Sequence, residues 1–513
     1  MITILVLFLF SSIALYLWLF YENVKRYPKG PLPLPIVGNL HSVNIKIFHE
    51  ELARFSKDYG NVFTVWLPKP HVIIMDLDLI KEAFTKKVFN LCLSPDYECA
   101  YNLYNFQVMI SLDDQGLFPD TLFQSVKNGG IVFSDGENWK EQRRTALHIL
   151  RDFGMGRNLM EEQVCLSGHD LISYLSSRKD KHNMDIGGPL QIFVANVINQ
   201  TLFGYKYDFN NSERLMSTAN AVNRIFAEMR SSKLIFLAQL IPSVLHLPLI
   251  GQMIKGKIDN DINLIHRNIN EDVEKALKSW NVDQEPECFV HAYYQQMKTN
   301  PMLNYDNLIN VCTDLFLAGM ETTATTLRWA ALYLAKYPNV QDKIRNEILS
   351  VLGVDGKPSM DLRQKSLPYT HAAVQEIQRC ASIVAVNPIH RTTKDTSVGS
   401  IPIPANTFVI GQCSYALANP QIYKNSEEFQ PERFLMEDGV TPNKEALDSF
   451  FPFSVGKRQC AGESMAKVEL FLGLIMLLQK FKIEPVKGAT IDLEPTLATV
   501  LVPKPQLLRI SSI

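Results

Sequence analysis

The chain opens on an apolar run, ITILVLFLFSSIALYLWLFY, in which no charged side chain occurs from Ile2 to Tyr21. At ~1.5 Å of rise per residue, a helix of about twenty residues spans the ~30 Å hydrocarbon core of a bilayer. The run lacks a preceding basic segment and a small-residue cleavage site, which favours an anchor over a cleaved signal peptide. Basic residues follow at Lys25, Arg26 and Lys29. We therefore expect residues 1–21 to cross a membrane once, with the rest of the chain in the cytosol.

A proline-rich segment, YPKGPLPLPIVGNL, separates this run from the body of the chain. Its four prolines, at positions 28, 31, 33 and 35, forbid continuation of the helix and favour extended backbone. We expect residues 22–41 to form a stiff hinge that sets the angle between anchor and body.

Helical periodicity dominates the body. The spacing of apolar positions predicts helices over 139–152, 159–177, 189–203, 305–336, 339–352, 368–380 and 463–480. Short β-type runs predict strands over 62–67, 71–75 and 407–412. No long polar linker divides the body, so we expect residues 42–513 to form one large domain that is mainly α-helical with small β-sheets.

Two further segments lack a clear helical pattern. Residues 278–305 are predicted to form an exposed connection. Residues 234–250, LIFLAQLIPSVLHLPLI, are strongly apolar and are interrupted by two prolines. Packing in the core and contact with the lipid interface are equal alternatives for this second segment.

Composition excludes some classes of function. Lys plus Arg (51) and Asp plus Glu (53) nearly cancel, so no overall basic field favours a nucleic-acid partner. The eight cysteines are scattered, with no CxxC pair. This pattern indicates free thiols in a reducing compartment.

One cysteine lies in a glycine-bracketed loop, FSVGKRQCAG, just before a predicted apolar helix. A lone cysteine is most often a buried structural residue. If Cys460 instead binds iron as a thiolate, the helix starting near Gly462 would direct its positive dipole end at the sulfur. Gly456 would permit an unusual turn, and Arg458 would pair with a carboxylate of the cofactor.

The whole loop favours the iron site. Phe453, Gly456, Arg458, Cys460 and Gly462 match every fixed position of the Phe-x-x-Gly-x-Arg-x-Cys-x-Gly signature, so the chain resembles the cytochrome P450 family. The resemblance implies haem b, with Cys460 as the axial iron ligand and with Phe453 and Arg458 in the haem-binding loop. Thiolate ligation favours cleavage of the O–O bond.

The segment AGMETT, within the longest predicted helix, is similar to the family's oxygen-activating segment. A mid-helix threonine can bond back to the carbonyl four residues earlier, which for Thr322 is Ala318, and so open the helix locally. Glu321 beside it pairs an acid with an alcohol. The resemblance implies that Thr322 and Glu321 are the catalytic proton-delivery pair and that Gly319 lies beside the cofactor.

Three charged residues match a structural network of the family. Glu376 and Arg379 share a helix face in EIQR, and Arg433 follows in PERF, between that helix and Cys460. The resemblance implies a buried Glu–Arg–Arg network. The same ExxR spacing at Glu51/Arg54 and Glu141/Arg144 is interpreted as exposed pairs.

Further haem contacts follow from two other motifs. WKEQRR matches the family's Trp-x-x-x-Arg, which implies that Trp139 and Arg143 meet a haem propionate. NPIHR resembles the family's Pro-x-His stretch, which implies His390 as a second propionate partner, with Arg391 as its rival. An ordinary loop histidine is the alternative for His390.

The stretches GGIVFSDGENWKEQRR and LRDFGMGR look most like the animal microsomal, family-2-like clan. That resemblance implies a monooxygenase in the endoplasmic reticulum membrane that takes electrons from NADPH through NADPH-cytochrome P450 reductase. Cytochrome b5 is a further candidate partner, and basic residues such as Lys457, Arg144 and Arg151 are candidates for the docking surface. The substrate would be a small lipophilic molecule: a fatty acid, an eicosanoid or a xenobiotic. A reductase-independent peroxide isomerase and a non-catalytic haem sensor or carrier are the alternatives.

The substrate pocket is expected along five segments, by the same resemblance. They are 95–125, 205–250, 310–326, 383–388 and 495–501. The stretch 91–127 departs from the family because it is longer than expected. It is either a genuine insertion that reshapes the pocket or an error in the gene sequence's interpretation.

Overall fold

The computed structural model describes residues 2–44, 47–86, 89–91, 126, 128–155, 158–232, 234–235, 238, 244, 247–497 and 500–512. The predicted pocket range 95–125 and nearly all of the long stretch 91–127 lie outside the described residues. All of the predicted helices and strands are present, with ends close to the predicted positions.

The described helices are, in chain order, α1 (Ile2–Val24), α2 (Phe48–Tyr59), α3 (Leu77–Lys81), α4 (Gly136–Asp152), α5 (Asn158–Ser177), α6 (Gly187–Phe203), α7 (Glu213–Ser231), α8 (Pro248–Lys278), α9 (Phe289–Gln296), α10 (Tyr305–Lys336), α11 (Pro338–Leu352), α12 (Leu362–Lys365), α13 (Pro368–Ala381), α14 (Cys413–Leu417), α15 (Lys444–Asp448) and α16 (Glu463–Lys480). The described strands are β1 (Val62–Leu67), β2 (Lys69–Ile74), β3 (Phe89–Leu91), β4 (His390–Thr392), β5 (Thr396–Val398), β6 (Ile401–Ile403), β7 (Phe408–Gly411), β8 (Phe481–Pro485), β9 (Pro495–Leu497), β10 (Leu501–Pro503) and β11 (Leu508–Ser512).

The chain divides into two compact units, each assembled from separate segments. The first contains Met1–Met109, Ala385–Ala416 and Ser454–Gln459, and the second contains Ile110–Val384, Leu417–Phe453 and Cys460–Ile513. The single domain over 42–513 stays a prediction.

A five-stranded sheet organises the first unit, in the order β1-β2-β7-β4-β3. Strand β2 pairs in parallel with β7, and the other neighbours are antiparallel. The sheet packs on α2 through a small apolar core, because alternate side chains of β1 and β2 point to one face. That core is formed by Val43, Leu52, Phe55, Phe63, Val65, Ile73, Met75 and Ile410.

The predicted anchor is a continuous helix, and the hinge after it is fastened to the sheet. Helix α1 has no buried residues and is long and apolar enough to cross a membrane. Its Tyr21 hydroxyl donates to the Pro33 carbonyl at 3.4 Å, and the Phe20 ring lies 5.5 Å from that of Trp66. Asn39 accepts the Trp66 backbone N–H at 2.8 Å. The hinge is therefore held by packing as well as stiffened by proline.

Three long helices form the interior of the second unit. Helices α6 and α16 are buried along almost their whole length, as expected for helices that are apolar on every side. Helix α10 begins where the Asn304 side chain caps the Asn307 N–H, and it ends just before Pro338. Helix α10 carries the predicted proton-delivery pair.

The predicted exposed connection over 278–305 is wrong in its middle. Helix α9 lies there, with Phe289, Val290 and Tyr293 buried. Eight residues are too few to show helical periodicity clearly, and their side chains are buried only by packing against other segments of the fold.

The apolar segment 234–250 is described at both ends. Ile235 and Ala238 are buried, whereas Leu247 and Leu249 are exposed at the start of α8. The beginning of the segment is therefore packed in the core, as one alternative predicted, whereas apolar side chains at its end are exposed to solvent.

Candidate active site

The Cys460 loop directs backbone donors at its sulfur. The Cys460 N–H donates to the Phe453 carbonyl at 3.0 Å, which closes the loop immediately before α16. Burial raises the pKa of the Cys460 thiol, and the backbone N–H groups of Gly462 and Glu463 oppose that rise. These are the orphan donors of the first turn of α16, so the sulfur lies at a helix N-terminus, where a thiolate is favoured.

Arg143 adds a positive charge near Cys460. Its charge lowers the pKa of Cys460, and burial lowers the pKa of Arg143 itself. Arg143 and Trp139 lie one turn apart on α4, and both are partly buried. The second unit therefore brings Cys460, Arg143 and the N-terminus of α16 together.

Gly456 is required by close approach within the first unit. Its φ is +87°, and a Cβ there would lie 2.0 Å from the Phe84 carbonyl oxygen. No other residue type fits this position without moving the backbone.

His390 lies on strand β4 and is buried, so it is not an ordinary loop histidine. Its ring stacks on Phe84 with centroids 4.3 Å apart, and its Nδ1 donates to the Pro388 carbonyl at 2.8 Å. Burial, reinforced by the charge of Arg458, lowers the pKa of His390 to about 4. The rival Arg391 instead donates to Asn406 at 3.2 Å.

The acid and the alcohol of α10 point in different directions. The Thr322 hydroxyl is partly exposed and donates to the Ala318 carbonyl at 2.7 Å, which is the predicted back-bond. Glu321 is buried, and its Oε1 accepts from the Thr325 hydroxyl at 3.2 Å. Burial raises the pKa of Glu321. Successive helix positions are about 100° apart, so neighbours in sequence do not face each other.

Gly319 faces α6. A Cβ at Gly319 would lie 3.3 Å from Ile198 of that helix, so in the described residues the glycine permits close helix packing. The predicted contact between Gly319 and the cofactor stays a prediction.

The Glu–Arg–Arg network is assembled inside the second unit. Glu376 is fully buried, and its carboxylate accepts hydrogen bonds from Arg379 Nε at 2.7 Å and from Arg433 Nε at 2.9 Å. Both guanidinium groups also donate to backbone carbonyls, those of Leu417, Lys424, Asn425, Ser426 and Glu428. By contrast, the arginines of the Glu51/Arg54 and Glu141/Arg144 pairs are exposed.

Two buried acids escaped the sequence reasoning. Glu469 of α16 is fully buried, and burial raises its pKa to about 8, an effect that the Thr323 side chain of α10 opposes. Asp314 of α10 accepts the backbone N–H groups of Ile131 and Val132 at 2.6 and 2.9 Å. A single acidic residue on an otherwise apolar helix face was the available signal for both.

Comparison with known proteins identifies the family of this chain. The sequence profile of the family described as "Cytochrome P450" matches residues 28–101 and 98–510. The chain belongs to the cytochrome P450 family. The two matched segments overlap at residues 98–101, inside the stretch 91–127, for which a departure from the family stays a prediction.

Relatives of this P450 match it over nearly its full length. Cytochrome P450 2J5 of Mus musculus is 32% identical over 522 residues, covering 96% of this chain and 93% of the relative. Cytochrome P450 2F2 of Rattus norvegicus is 33% identical over 498 residues (96% and 95%), and cytochrome P450 2H2 of Gallus gallus is 33% identical over 523 residues (98% and 97%). This P450 is therefore a monooxygenase with a haem–thiolate cofactor and a mainly helical P450 fold with small sheets.

The residues around Cys460 fit haem. The Cys460 side chain is exposed to solvent, although burial is the largest influence on its pKa. The sulfur is therefore surrounded by protein but accessible to a ligand. In the described part of the chain, a Cβ at Gly462 would meet no atom of a neighbouring segment within 4 Å, which leaves room for a flat group beside the loop. One thiolate with helix-terminal donors is the donor set that haem iron needs from the protein on its proximal side.

Proposed function

We propose that this P450 is a single-pass protein of the endoplasmic reticulum membrane with its catalytic part in the cytosol. It inserts one oxygen atom of O2 into a small lipophilic substrate and reduces the other to water, with electrons from NADPH delivered by NADPH-cytochrome P450 reductase. The substrate is a fatty acid, an eicosanoid or a xenobiotic. The observation that carries this proposal is Cys460, whose sulfur lies at the N-terminus of α16, where backbone N–H groups and the charge of Arg143 oppose the rise in its pKa that burial causes.

Haem bound through a thiolate supplies cleavage of the O–O bond. Cys460 would bind the haem iron, and Phe453 closes the loop that carries this cysteine. In the first unit, Arg458 and His390 supply groups for the haem carboxylates. In the second unit, Trp139 and Arg143 have that role.

Thr322 and Glu321 have different roles in proton delivery: Thr322 donates the proton and Glu321 replaces it. The Thr322 hydroxyl is accessible, and its proton is held on the Ala318 carbonyl, from which rotation about one bond releases it. Glu321 resupplies that proton, and burial raises its pKa, which favours the protonated carboxyl. Glu376, Arg379 and Arg433 act structurally, since they are buried against one another and the backbone.

The electron donor docks on exposed basic residues. Lys457 follows Gly456 in the cysteine loop, and Arg144 and Arg151 lie on α4; all three are exposed. Arg144 also pairs with Glu141, which reduces its local charge. An acidic face of the reductase, or of cytochrome b5, would be attracted to such residues, and the interaction would weaken at high salt.

The membrane supports the enzyme and supplies its substrate. Helix α1 is the anchor, and the exposed Leu247 and Leu249 support contact of this part of the body with lipid. A lipophilic substrate partitions into the bilayer, so membrane contact places the enzyme beside its substrate reservoir.

The test begins with the optical difference spectrum of the reduced, carbon-monoxide-bound protein. The red-shifted band of a thiolate ligand is expected in the unaltered chain and should be lost in Cys460→His. Turnover of a panel of fatty acids, eicosanoids and xenobiotics is then measured with reductase and NADPH. Dependence on NADPH is expected. Turnover of a hydroperoxide without NADPH would instead identify the isomerase alternative, and binding with no turnover would identify the sensor or carrier.

A further inference from the structure

Phe84 is buried at the middle of a single π-helical turn, Glu82–Lys86, that directly follows α3. Turns of this kind are rare in proteins and are frequent at functional sites. Phe84 belongs to none of the motifs identified from the sequence, so its contacts within the first unit have to show what it does.

Two glycines from distant segments make room for Phe84. A Cβ on Gly456 of the cysteine loop would lie 2.0 Å from the Phe84 carbonyl oxygen, and a Cβ on Gly411 of β7 would lie 2.9 Å from Cε2 of its ring. Real Cβ atoms do not approach a neighbouring atom so closely, so both positions need glycine as long as Phe84 stays in place. The backbone and the ring of one residue are therefore fitted against two different parts of the unit.

The ring of Phe84 also holds His390 of β4. The two rings are stacked, with centroids 4.3 Å apart and planes 25° apart. His390 Nδ1 donates to the Pro388 carbonyl at 2.8 Å, so the backbone fixes one edge of the imidazole while Phe84 covers one face. Nε2 is then the nitrogen that can meet a ligand. A carboxylate beside it would favour the imidazolium form, which donates from both nitrogens.

We propose that Phe84 is a positioning residue for haem binding: its ring orients His390, and its carbonyl supports the Gly456 turn of the cysteine loop. Arg458 follows Gly456 by two residues and is placed by the same turn. An imidazole that is already held loses little freedom when it binds a carboxylate, so binding is tighter. This inference rests on the haem contact proposed for His390, and it adds a residue that lies outside the family motifs.

The experiment measures haem loss from the full-length, haem-loaded protein to an excess of apomyoglobin. Phe84→Leu keeps an apolar side chain but removes the stack, and should speed haem loss roughly threefold to tenfold, the range expected for one aromatic pair. His390→Gln should also speed it. Because Phe84 acts through His390, the double variant should lose haem at the rate of His390→Gln alone, within about twofold. A merely structural role of Phe84 would make the two effects multiply, which overturns the inference.

A second histidine–phenylalanine stack in the same sheet provides the matched control. His71 of β2 stacks on Phe408 of β7 with centroids 4.8 Å apart, and its Nδ1 donates to the Lys69 carbonyl at 2.8 Å. Phe408→Leu should leave haem loss unchanged, and an equal acceleration would show general loosening of the sheet. Phe84→Tyr keeps the ring and should hold haem as the unaltered protein does. Failure of Phe84→Leu to load haem, beside a His390→Gln variant that loads it, would also overturn the inference, because Phe84 would then act without His390.

A direct readout is the nuclear magnetic resonance signal of the His390 ring. It is recorded with isotope-labelled histidine in the reduced, carbon-monoxide-bound protein and is identified by its loss in His390→Gln. Stacked rings shield each other, so Phe84→Leu should move the ring-proton signals downfield, and an unmoved signal contradicts the stack. Haem loss unaffected by His390→Gln would instead refute the proposed haem contact of this histidine, and the signal would still report whether Phe84 holds it.

Discussion

Glu469 should make this P450 less stable as the pH rises, and replacing it by glutamine should remove that loss. The side chain is fully buried in α16, and its pKa is raised to about 8. In the unfolded chain a glutamate titrates at about 4.3. Between these values the unfolded chain has released a proton that the native state retains, so the free energy of unfolding falls with increasing pH.

The magnitude follows from the size of the shift. A pKa difference of one unit corresponds to about 1.4 kcal/mol. At pH 7, ionisation of Glu469 therefore stabilises the unfolded chain relative to the native state by roughly 3–4 kcal/mol. Glu469→Gln is neutral in both states and has nearly the same size and shape as the protonated glutamate. The variant should therefore be more stable at pH 7 by about 3 kcal/mol, with an advantage that shrinks by about 1.4 kcal/mol per pH unit on acidification.

The assay is urea unfolding of the full-length protein in detergent at several pH values from 5.5 to 7.5. Tryptophan fluorescence and circular dichroism serve as two probes, whose agreement tests two-state behaviour. Glu445→Gln on α15 is the matched control, because Glu445 is exposed. If the unaltered protein and Glu469→Gln show parallel pH dependences, the reasoning is refuted.

Three other substitutions test the site and its support. Thr322→Ala should retain haem but divert reducing equivalents to hydrogen peroxide, and a normal ratio of product to NADPH consumed would exclude the assigned role. Glu376→Gln leaves two buried guanidinium groups without their carboxylate and should cost about 3–5 kcal/mol in unfolding free energy, against less than about 1 kcal/mol for Glu51→Gln, whose partner Arg54 at the same spacing is exposed. Gly456→Ala places a Cβ against the Phe84 carbonyl and should sharply lower the haem content of the purified protein, whereas full haem occupancy would contradict the close approach.

The long helices could be predicted because their signal is local. Helices α5, α6, α10 and α16 each carry many turns of periodic apolar positions, and a single residue such as Asn304 or Gly462 marks their starts. Short elements carry too little pattern. Strands β3 and β4 have three residues each, and they exist because β4 pairs with both β3 and β7.

The motifs identified the residues of the site but did not show where their side chains point or how deeply they are buried. The sequence places Glu321 beside Thr322, yet the acid is buried and accepts from Thr325 while the alcohol is partly exposed. ExxR occurs three times, and burial alone separates Glu376/Arg379 from the two surface pairs.

The sequence by itself determined the family, the apolar N-terminal helix, the long helices and the identity of the cysteine loop, because each depends on residues that are close together in the chain. Tertiary structure decided the rest: that Gly456 touches the Phe84 carbonyl, that His390 stacks on Phe84, and that Glu469 lies buried beside Thr323. These outcomes depend on contacts between distant segments, and burial there changes the pKa of a group by far more than its sequence neighbours do.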